Sequence, residues 1–203
     1  MTEQDKPVSE PEESAPEGAT DETAQAEAPA SVRPARRAPP HEEEAPPEVL
    51  NPRGQTTLGL LMQVADPYVI AHGGRDDIPW IETRAQRLTE VARRCRDHRD
   101  LDLKMLHCLL VVDYIEHLQA VYVLLSPVKG TRAILKVNVP ADEPKVPSLT
   151  GLWAATDWYE REMHELFGME FEGHPNLSPL ILYEGFEGYP GLKSFPFNDY
   201  EEF

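Results

Sequence analysis

Two histidines have neighbours that would suit metal chemistry. His164 and Glu165 begin like the zinc-protease motif H-E-x-x-H, in which two histidines one helical turn apart bind the ion. The second histidine would fall at Gly168, so the motif is incomplete. His174 precedes Pro175 in a stretch without regular periodicity, where its ring suits a hydrogen bond to a backbone carbonyl or to a partner's carboxylate. The sequence therefore predicts a structural histidine at this position and no metal ligand.

The other candidate ligands are sparse. Cys95 and Cys108 are the only cysteines, whereas a structural zinc site or an iron–sulfur cluster draws on four ligands. Both cysteines are therefore predicted to be free thiols. His107 and His117 lie on neighbouring predicted strands, but two rings alone do not define a metal site. Because no spacing supports a serine, histidine and acid arrangement, we also expect no catalytic residue.

A phosphate-binding loop is the remaining chemical motif to consider. Residues 188–194 read G-Y-P-G-L-K-S, which partly matches the end of a Walker loop. Leu192 separates Gly191 from Lys193, however, and no strand-to-helix context surrounds the stretch. The chain also lacks G-x-G-x-x-G. The sequence therefore predicts no nucleotide and no other cofactor.

The first 50 residues differ in composition from the rest of the chain. They carry 13 acidic and 4 basic side chains, 9 prolines and no Phe, Trp or Tyr, in a chain of 203 residues and net charge -17. Such a segment buries too little apolar area to offset its chain entropy, so a disordered acidic tail is predicted at 1–50. The acidity argues against nucleic-acid binding. We expect neither a secretory signal nor a membrane span, since no window holds the about 18 apolar residues that a span requires.

Residues 51–156 are predicted to form an α+β domain. Apolar residues spaced along 58–65 favour a short helix. Two short strands are expected at 68–71 and 78–81, on either side of a turn at Gly73-Gly74. The fold class is therefore α+β, with helices flanking an antiparallel or mixed sheet.

Three further strands complete the predicted sheet. They are expected at 104–114, 120–125 and 133–139, after an arginine-rich helix that Thr83 would cap. Since short loops join the three strands, an antiparallel meander is predicted. The nearly continuous apolar run at 104–114 favours a buried strand. Alternation along 133–139 places one side of that strand against the core.

Residues 157–203 are predicted to be the end of a helix followed by an extended docking segment. Apolar residues at three- and four-residue spacing predict an amphipathic helix that Ser148 caps and Gly168 ends. If the chain kinks at Thr156, Asp157 is expected to cap a second helix. The opposite face is expected to be solvated, with Arg161 and Glu165 spaced to pair; its members are Glu160, Arg161, Glu162, His164 and Glu165. The chain then stays rich in Phe, Tyr, Leu and Ile up to Pro196 without periodicity. Such a segment must lie against its own domain or another protein.

These residues resemble the 30 kDa subunit family of respiratory complex I, together with related subunits of energy-converting membrane hydrogenases. The resemblance covers about 101–196 and includes V-D-Y at 112–114 and V-Y-x-L-L-S at 121–126. Glu165 stands where the family signature usually has aspartate. The signature positions are matched by Glu160, Arg161, Glu162, Leu166, Phe167, Gly168, Met169, Phe171, Gly173, His174 and Pro175.

The resemblance implies a role as one component of a larger enzyme. It implies a non-catalytic peripheral-arm subunit of a proton-pumping NADH:quinone oxidoreductase, without a cofactor of its own. The expected partners are the large quinone-site (49 kDa-type) subunit and other peripheral-arm subunits. The expected location is the cytoplasmic side of the membrane, reached only through the complex. The positions carried over as shaping the partner interface, with a structural role, are Glu160, Arg161, Glu162, Gly168, Phe171, Gly173, His174 and Pro175.

Two alternative functions stay open beside this reading. The chain is also compatible with the equivalent subunit of an energy-converting membrane hydrogenase or a ferredoxin-linked complex. Ser178 and Pro179 stand where the family usually has two basic residues, and 190–196 lacks a usual arginine and aspartate. Without these charges, the electrostatic attraction that would align this chain with an acidic partner is weaker. A free-standing adaptor that uses the acidic tail is the third possibility.

Overall fold

The computed structural model of the chain describes residues 49–196. Residues 1–48 and 197–203 lie outside this range, and with them nearly all of the predicted acidic tail. The helices are α1 (Pro52–Ala65), α2 (Leu88–Asp97) and α3 (Thr156–Phe167), with a 3-10 turn at Ala85–Arg87. The strands are β1 (Val69–Arg75), β2 (Ile78–Thr83), β3 (Met105–Asp113), β4 (His117–Leu125), β5 (Arg132–Pro140), β6 (Lys145–Pro147) and β7 (Glu170–Glu172).

The sheet is mixed, and the α+β fold class is confirmed. Five strands lie in the order β1-β2-β5-β4-β3, and β6 and β7 form a separate parallel pair. The predicted meander is confirmed, since β4 pairs antiparallel with both β3 and β5. Pairing of β2 with β5 is parallel and places Trp80 beside Ile134. The early β1–β2 hairpin thereby joins the meander in one sheet.

The core lies on one face of this sheet. Along β5, Leu135, Val137 and Val139 are buried while the residues between them are more exposed, as the alternation predicts. Buried residues of the helices α1, α2 and α3 belong to the same cluster. A single apolar core therefore holds α3 in place against the sheet.

The predicted turn at Gly73-Gly74 is wrong. Both glycines lie within β1, and the chain reverses at Asp76, which has a positive φ of 53°. A Cβ on Gly74 would lie 2.6 Å from Pro79 Cα on the paired strand, so the glycine permits a close approach of two strands. Asp76 is a residue type that tolerates this left-handed conformation.

The helix cap predicted at Thr83 is also wrong. The Thr83 hydroxyl donates to the Tyr68 carbonyl at 2.9 Å and so ties the end of β2 to the start of β1. Helix α2 begins only at Leu88, after the 3-10 turn. The side chain that sequence spacing offered as a cap is therefore already engaged by tertiary structure.

Strand β3 is not a fully buried strand. It is an edge strand, and its Leu106, Leu109 and Val111 face the core while Leu110 and Val112 are exposed. A continuous apolar run does not show whether one or both faces of a strand are covered.

Helix α3 begins at Thr156, the position where the sequence allowed a kink. Its N-cap position is Ala155, so neither Ser148 nor Asp157 is its cap. The predicted end is confirmed, because Gly168 adopts the left-handed conformation with φ of 71°. Within residues 49–196, no helix combines the length and apolar character that crossing a bilayer requires.

Candidate functional site

Glu160 on α3 is the most deeply buried carboxyl among the described residues. Its side chain has no exposed area, and it accepts hydrogen bonds from the Leu149 N–H at 2.8 Å and the Ser148 hydroxyl at 2.6 Å. Burial raises the pKa of Glu160 to about 7, against the opposing effect of these two hydrogen bonds. The predicted solvated face is therefore wrong at this position. Glu160 instead holds the chain that leads into α3.

His174 lies next to Glu160 and closes the same polar cluster. Its Nδ1 accepts from the Asn176 N–H at 3.0 Å, so its proton lies on Nε2. Nε2 is 3.1 Å from Asp157 Oδ1, 3.3 Å from the Asp157 carbonyl and 3.9 Å from Glu160 Oε2. All of these partners lie inside this chain, and they include a backbone carbonyl, the kind of contact that the sequence favoured for His174. The ring fastens the turn after β7 to the first turn of α3.

Two buried hydroxyls belong to the same region. Neither Tyr122 on β4 nor Thr156 has a hydrogen-bond partner for its hydroxyl among the described residues. Burial raises the pKa of Tyr122 well above its usual value, and the negative charge of Glu160 adds to the effect. The interior beneath α3 is therefore unusually polar, which makes the charge state of Glu160 a determinant of stability.

Arg161 binds the C-terminal segment, which we define as residues 173–196. Its guanidinium donates to the Ser178 carbonyl at 3.0 Å, to the Ser178 hydroxyl at 3.3 Å and to the Pro179 carbonyl at 3.0 Å. It also lies over the Trp158 ring, 5.5 Å from the centroid. The predicted pair between Arg161 and Glu165 is wrong, because each side chain binds the segment instead.

Glu165 holds the next part of the C-terminal segment. Its carboxylate accepts from three consecutive backbone N–H groups, those of Leu180 at 2.9 Å, Ile181 at 2.8 Å and Leu182 at 3.2 Å. The side chain is buried, contrary to the predicted solvated face. Bonds from backbone donors to a charged acceptor are stronger than neutral ones, so this contact fixes the path of the segment.

A third anchor holds the far end of the segment. Asp113 at the end of β3 accepts from the Lys193 N–H at 2.8 Å and from the Ile115 N–H at 2.6 Å. These two bonds lower the pKa of Asp113 below its usual value, and the bond from the Lys193 N–H has the larger effect. The Gly191 N–H donates to the Leu166 carbonyl at 2.8 Å. The segment is thus attached to α3 and to the edge of the sheet.

The C-terminal segment turns large apolar side chains outward. Ile181 is 62% exposed, Tyr183 71% and Tyr189 45%, although the backbone between them is held by carboxylate and guanidinium contacts. Trp158 on α3 is exposed beside the segment. An exposed apolar surface on a fixed backbone is typical of a protein interaction site.

The described residues offer no arrangement suited to a metal ion. No group of three or more His, Cys, Asp or Glu side chains in the range 49–196 is placed to bind one. His164 Nδ1 lies 2.9 Å from the Met169 carbonyl, to which it donates, and so caps the end of α3. Both cysteines are free thiols, as predicted, and burial raises the pKa of Cys95 to about 12.

The sequence of this region also identifies its relatives. The profile of the family described as respiratory-chain NADH dehydrogenase, 30 Kd subunit, matches residues 81–201. The chain belongs to this family. The matched range contains most of the sheet, all of α3 and the whole C-terminal segment.

Curated relatives are named as one component of NADH-quinone oxidoreductase, its C-subunit. The protein of this name from Roseiflexus sp. (strain RS-1) is 40% identical over 119 residues, or 57% of this chain and 68% of that relative. The C-subunit 2 of Rhizobium etli (strain CIAT 652) is 35% identical over 120 residues, or 58% of this chain and 64% of that relative. The match to the C-subunit of Neorickettsia sennetsu spans 50% of that relative. The chain thus spans between half and about two thirds of the length of these relatives.

Two solved structures resemble the fold of this chain. The trypsin-resistant fragment (1-134) of Nqo5 is 30% identical with a TM-score of 0.50, and the alignment covers 62% of this chain and 99% of the fragment. A chain of the membrane-bound sulfane sulfur reductase, an archaeal respiratory membrane complex, has a TM-score of 0.62 at 22% identity, over 70% of this chain and 85% of that chain. At that identity the second likeness shows the fold alone.

The predicted family positions fall into two structural groups. Glu160, Phe171 and the His174 side chain are inside the subunit, where they hold α3 and the turn after β7. The others lie nearer the surface: Arg161, Glu162, Gly168, Gly173 and Pro175. The interior residues therefore cannot contact a partner directly. They can affect partner binding only by positioning α3 and the turn after β7.

Sequence reasoning missed two residues that hold the C-terminal segment. Asp113 lies within the V-D-Y match, and Glu165 lies in the family signature, but their backbone partners are distant in the chain. The sequence feature that could have indicated such an anchor is an acidic residue at the end of an apolar strand or beside the apolar face of a helix. That feature does not reveal from which N–H groups the carboxylate accepts.

Proposed function

We propose that the chain is a non-catalytic peripheral-arm subunit of a proton-pumping NADH:quinone oxidoreductase. We propose further that it docks onto the large subunit that forms the quinone site, through α3 and the C-terminal segment. Membership of the 30 kDa subunit family and the names of the curated relatives support the assignment to this enzyme.

The observation that carries the docking role is the construction of the C-terminal segment. Arg161, Glu165 and Asp113 hold its backbone in a defined path, while Ile181 and Tyr183 point large apolar area to solvent. A surface already held in one conformation loses little entropy on binding. Aromatic side chains in such a position contribute a large share of interface energy.

The family positions contribute to this interface in two ways. Arg161, Glu162 and Pro175 are near enough to the surface to contact a partner or to set the path of the segment. Glu160, Phe171 and His174 act from inside by fixing α3, and Gly168 and Gly173 allow the turns around β7. Their role is structural. Electron and proton transfer are assigned to other subunits of the complex.

The protein would reach the membrane only through its partners. We place it on the cytoplasmic side as part of the peripheral arm, with no cofactor or metal of its own. The acidic balance of the chain fits an interaction with protein and not with nucleic acid. The other readings, a membrane hydrogenase or ferredoxin-linked subunit and a free-standing adaptor, receive less support from the names of the relatives.

Affinity purification from cells tests this function. A tagged full-length chain is expected to co-purify with the large subunit and the remaining subunits of an NADH-oxidising, quinone-reducing complex. Arg161→Ala should lower the yield of intact complex several-fold while the isolated chain stays folded, because the variant frees 178–179 from α3. Arg93→Ala, at an exposed position of α2, is the matched control and should leave the yield unchanged.

Three outcomes would contradict the proposal in whole or in part. An isolated chain that binds no large subunit would favour the adaptor. A purified complex with hydrogenase or ferredoxin-linked activity, and without NADH oxidation, would favour the other membrane complex. Normal yield with Arg161→Ala would show that the Arg161 contacts do not shape the interface.

A further inference from the structure

A small pocket lies between α3 and the C-terminal segment. Its volume is about 190 Å³, and three aromatic residues of the segment, Tyr183, Phe186 and Tyr189, line it together with His164 and Glu165 of α3. Small-molecule sites commonly enclose about 300–1,000 Å³. The pocket is therefore too small for a cofactor, and its size suits one side chain.

The aromatic rings are held in a fixed arrangement. Tyr183 meets Phe186 edge-on with centroids 5.4 Å apart, and Phe186 stacks with Phe195 at 6.0 Å. The Tyr189 ring packs where a Cβ on Gly168 would lie, within 2.8 Å. Rings packed against their neighbours in this way need little further ordering on binding, and their π systems attract a cation.

Among the described residues, the one charged carboxylate that lines the pocket is Glu165, while the nearby Arg161 guanidinium is already bound to Ser178 and Pro179. Glu184 and Glu187 are exposed on the same stretch of the segment. No lysine or arginine is among the described residues that line it. In the neutral ring of His164, Nδ1 donates to Met169, which leaves Nε2 as an acceptor. Aromatic rings, the negative charge of Glu165, whose oxygens already accept from 180–182, and an acceptor nitrogen together are complementary to a cationic donor.

We propose that this pocket receives one basic side chain, an arginine or lysine, from the neighbouring polypeptide onto which the C-terminal segment docks. This inference rests on the proposed function, since it names the chemistry of the partner at that interface. An arginine suits the pocket best, because its planar guanidinium stacks on aromatic rings and donates in several directions. Arginine and tyrosine are also among the residues that are enriched in the hot spots of protein interfaces.

Site-specific photo-crosslinking in the assembled complex tests the inference. Tyr183, the most exposed ring, is replaced by p-benzoylphenylalanine in the full-length chain, and the adduct is located by mass spectrometry. We expect an adduct with a neighbouring subunit at a residue next to an arginine or lysine. The same photoreactive group at Val128, which is 86% exposed in the β4–β5 loop, is the control and should give a different adduct.

A double-mutant cycle then measures the contact itself. Tyr183→Leu in this chain and replacement of the adjacent basic residue by methionine in the partner should each weaken binding about 10-fold. The two changes together should weaken it no further than either alone. Tyr114→Leu, at an exposed ring in the β3–β4 connection, is the matched control and should combine additively with the partner change.

The outcomes separate the inference from the proposed function. An adduct with another subunit at a site without a nearby basic residue, or additive effects in the cycle, would overturn the cationic pocket and leave the docking role intact. If the photoreactive group at position 183 forms no adduct with any other subunit, both the cationic pocket and the proposed docking role are overturned.

Discussion

Glu160→Gln is the change with the most specific expected effect. The carboxyl has no exposed area, and burial raises its pKa from 4.5 to about 7. A raised pKa means that the folded protein binds the proton more tightly than the unfolded chain. The resulting stabilisation is fully present below about pH 4.5 and is lost as the pH rises through about 7. The wild-type free energy of unfolding should therefore fall across this window.

The magnitude follows from the size of the pKa difference. At 1.36 kcal/mol per pKa unit, the shift corresponds to roughly 3 kcal/mol in total. Between pH 5 and pH 8 the Glu160 contribution should change by roughly 2 to 3 kcal/mol. Glutamine does not titrate, and its carbonyl can still accept from the Leu149 N–H, so the variant should lack this part of the pH dependence.

Urea unfolding at several pH values measures the effect. The difference in free energy of unfolding, wild type minus variant, should fall by roughly 2 to 3 kcal/mol from pH 5 to pH 8, since groups that titrate in both proteins cancel. Glu162→Gln, at a half-buried position of the same helix, is the control for removing a carboxyl from α3. A pH-independent difference for Glu160→Gln would refute the raised pKa and the importance of this buried carboxyl.

Three further predictions follow from the contacts of α3 and the sheet. Phe171→Ala should lower the free energy of unfolding by about 3–5 kcal/mol in chemical denaturation, whereas the half-buried Phe167→Ala should cost less; equal losses would contradict the burial assignment. Glu165→Ala should speed hydrogen exchange of the amides at 180–182 by about 10-fold or more, since they lose their acceptor; unchanged exchange would show that the contact is not formed in solution. Gly74→Ala should cost about 1–3 kcal/mol of stability through its clash with Pro79, and a neutral effect would contradict the close strand approach.

Local periodicity was sufficient to predict most of the sheet. The alternation along β5 and the short connections of the meander are local features, so the sequence indicated both the strands and their antiparallel order. Gly168 ended α3 as predicted for the same reason, because a helix end depends on a few adjacent residues. The fold class followed from these elements.

The errors arose where distant residues decide the structure. Glu160 and Glu165 lie on the polar face of α3, and nothing in the helix itself shows that residues 148–149 and 180–182 cover that face. The parallel pairing of β2 with β5 joins strands about 50 residues apart, for which the hydrophobic pattern contains no signal. The buried carboxyls needed the three-dimensional arrangement of the C-terminal segment before their role became visible.

A structure of the assembled complex by electron cryo-microscopy tests the docking role of the C-terminal segment. Residues 178–196 are expected to lie against the large subunit, with Ile181, Tyr183 and Tyr189 buried at the contact. This role would be contradicted by a particle in which this stretch faces solvent, or in which side chains of the chain hold a redox centre.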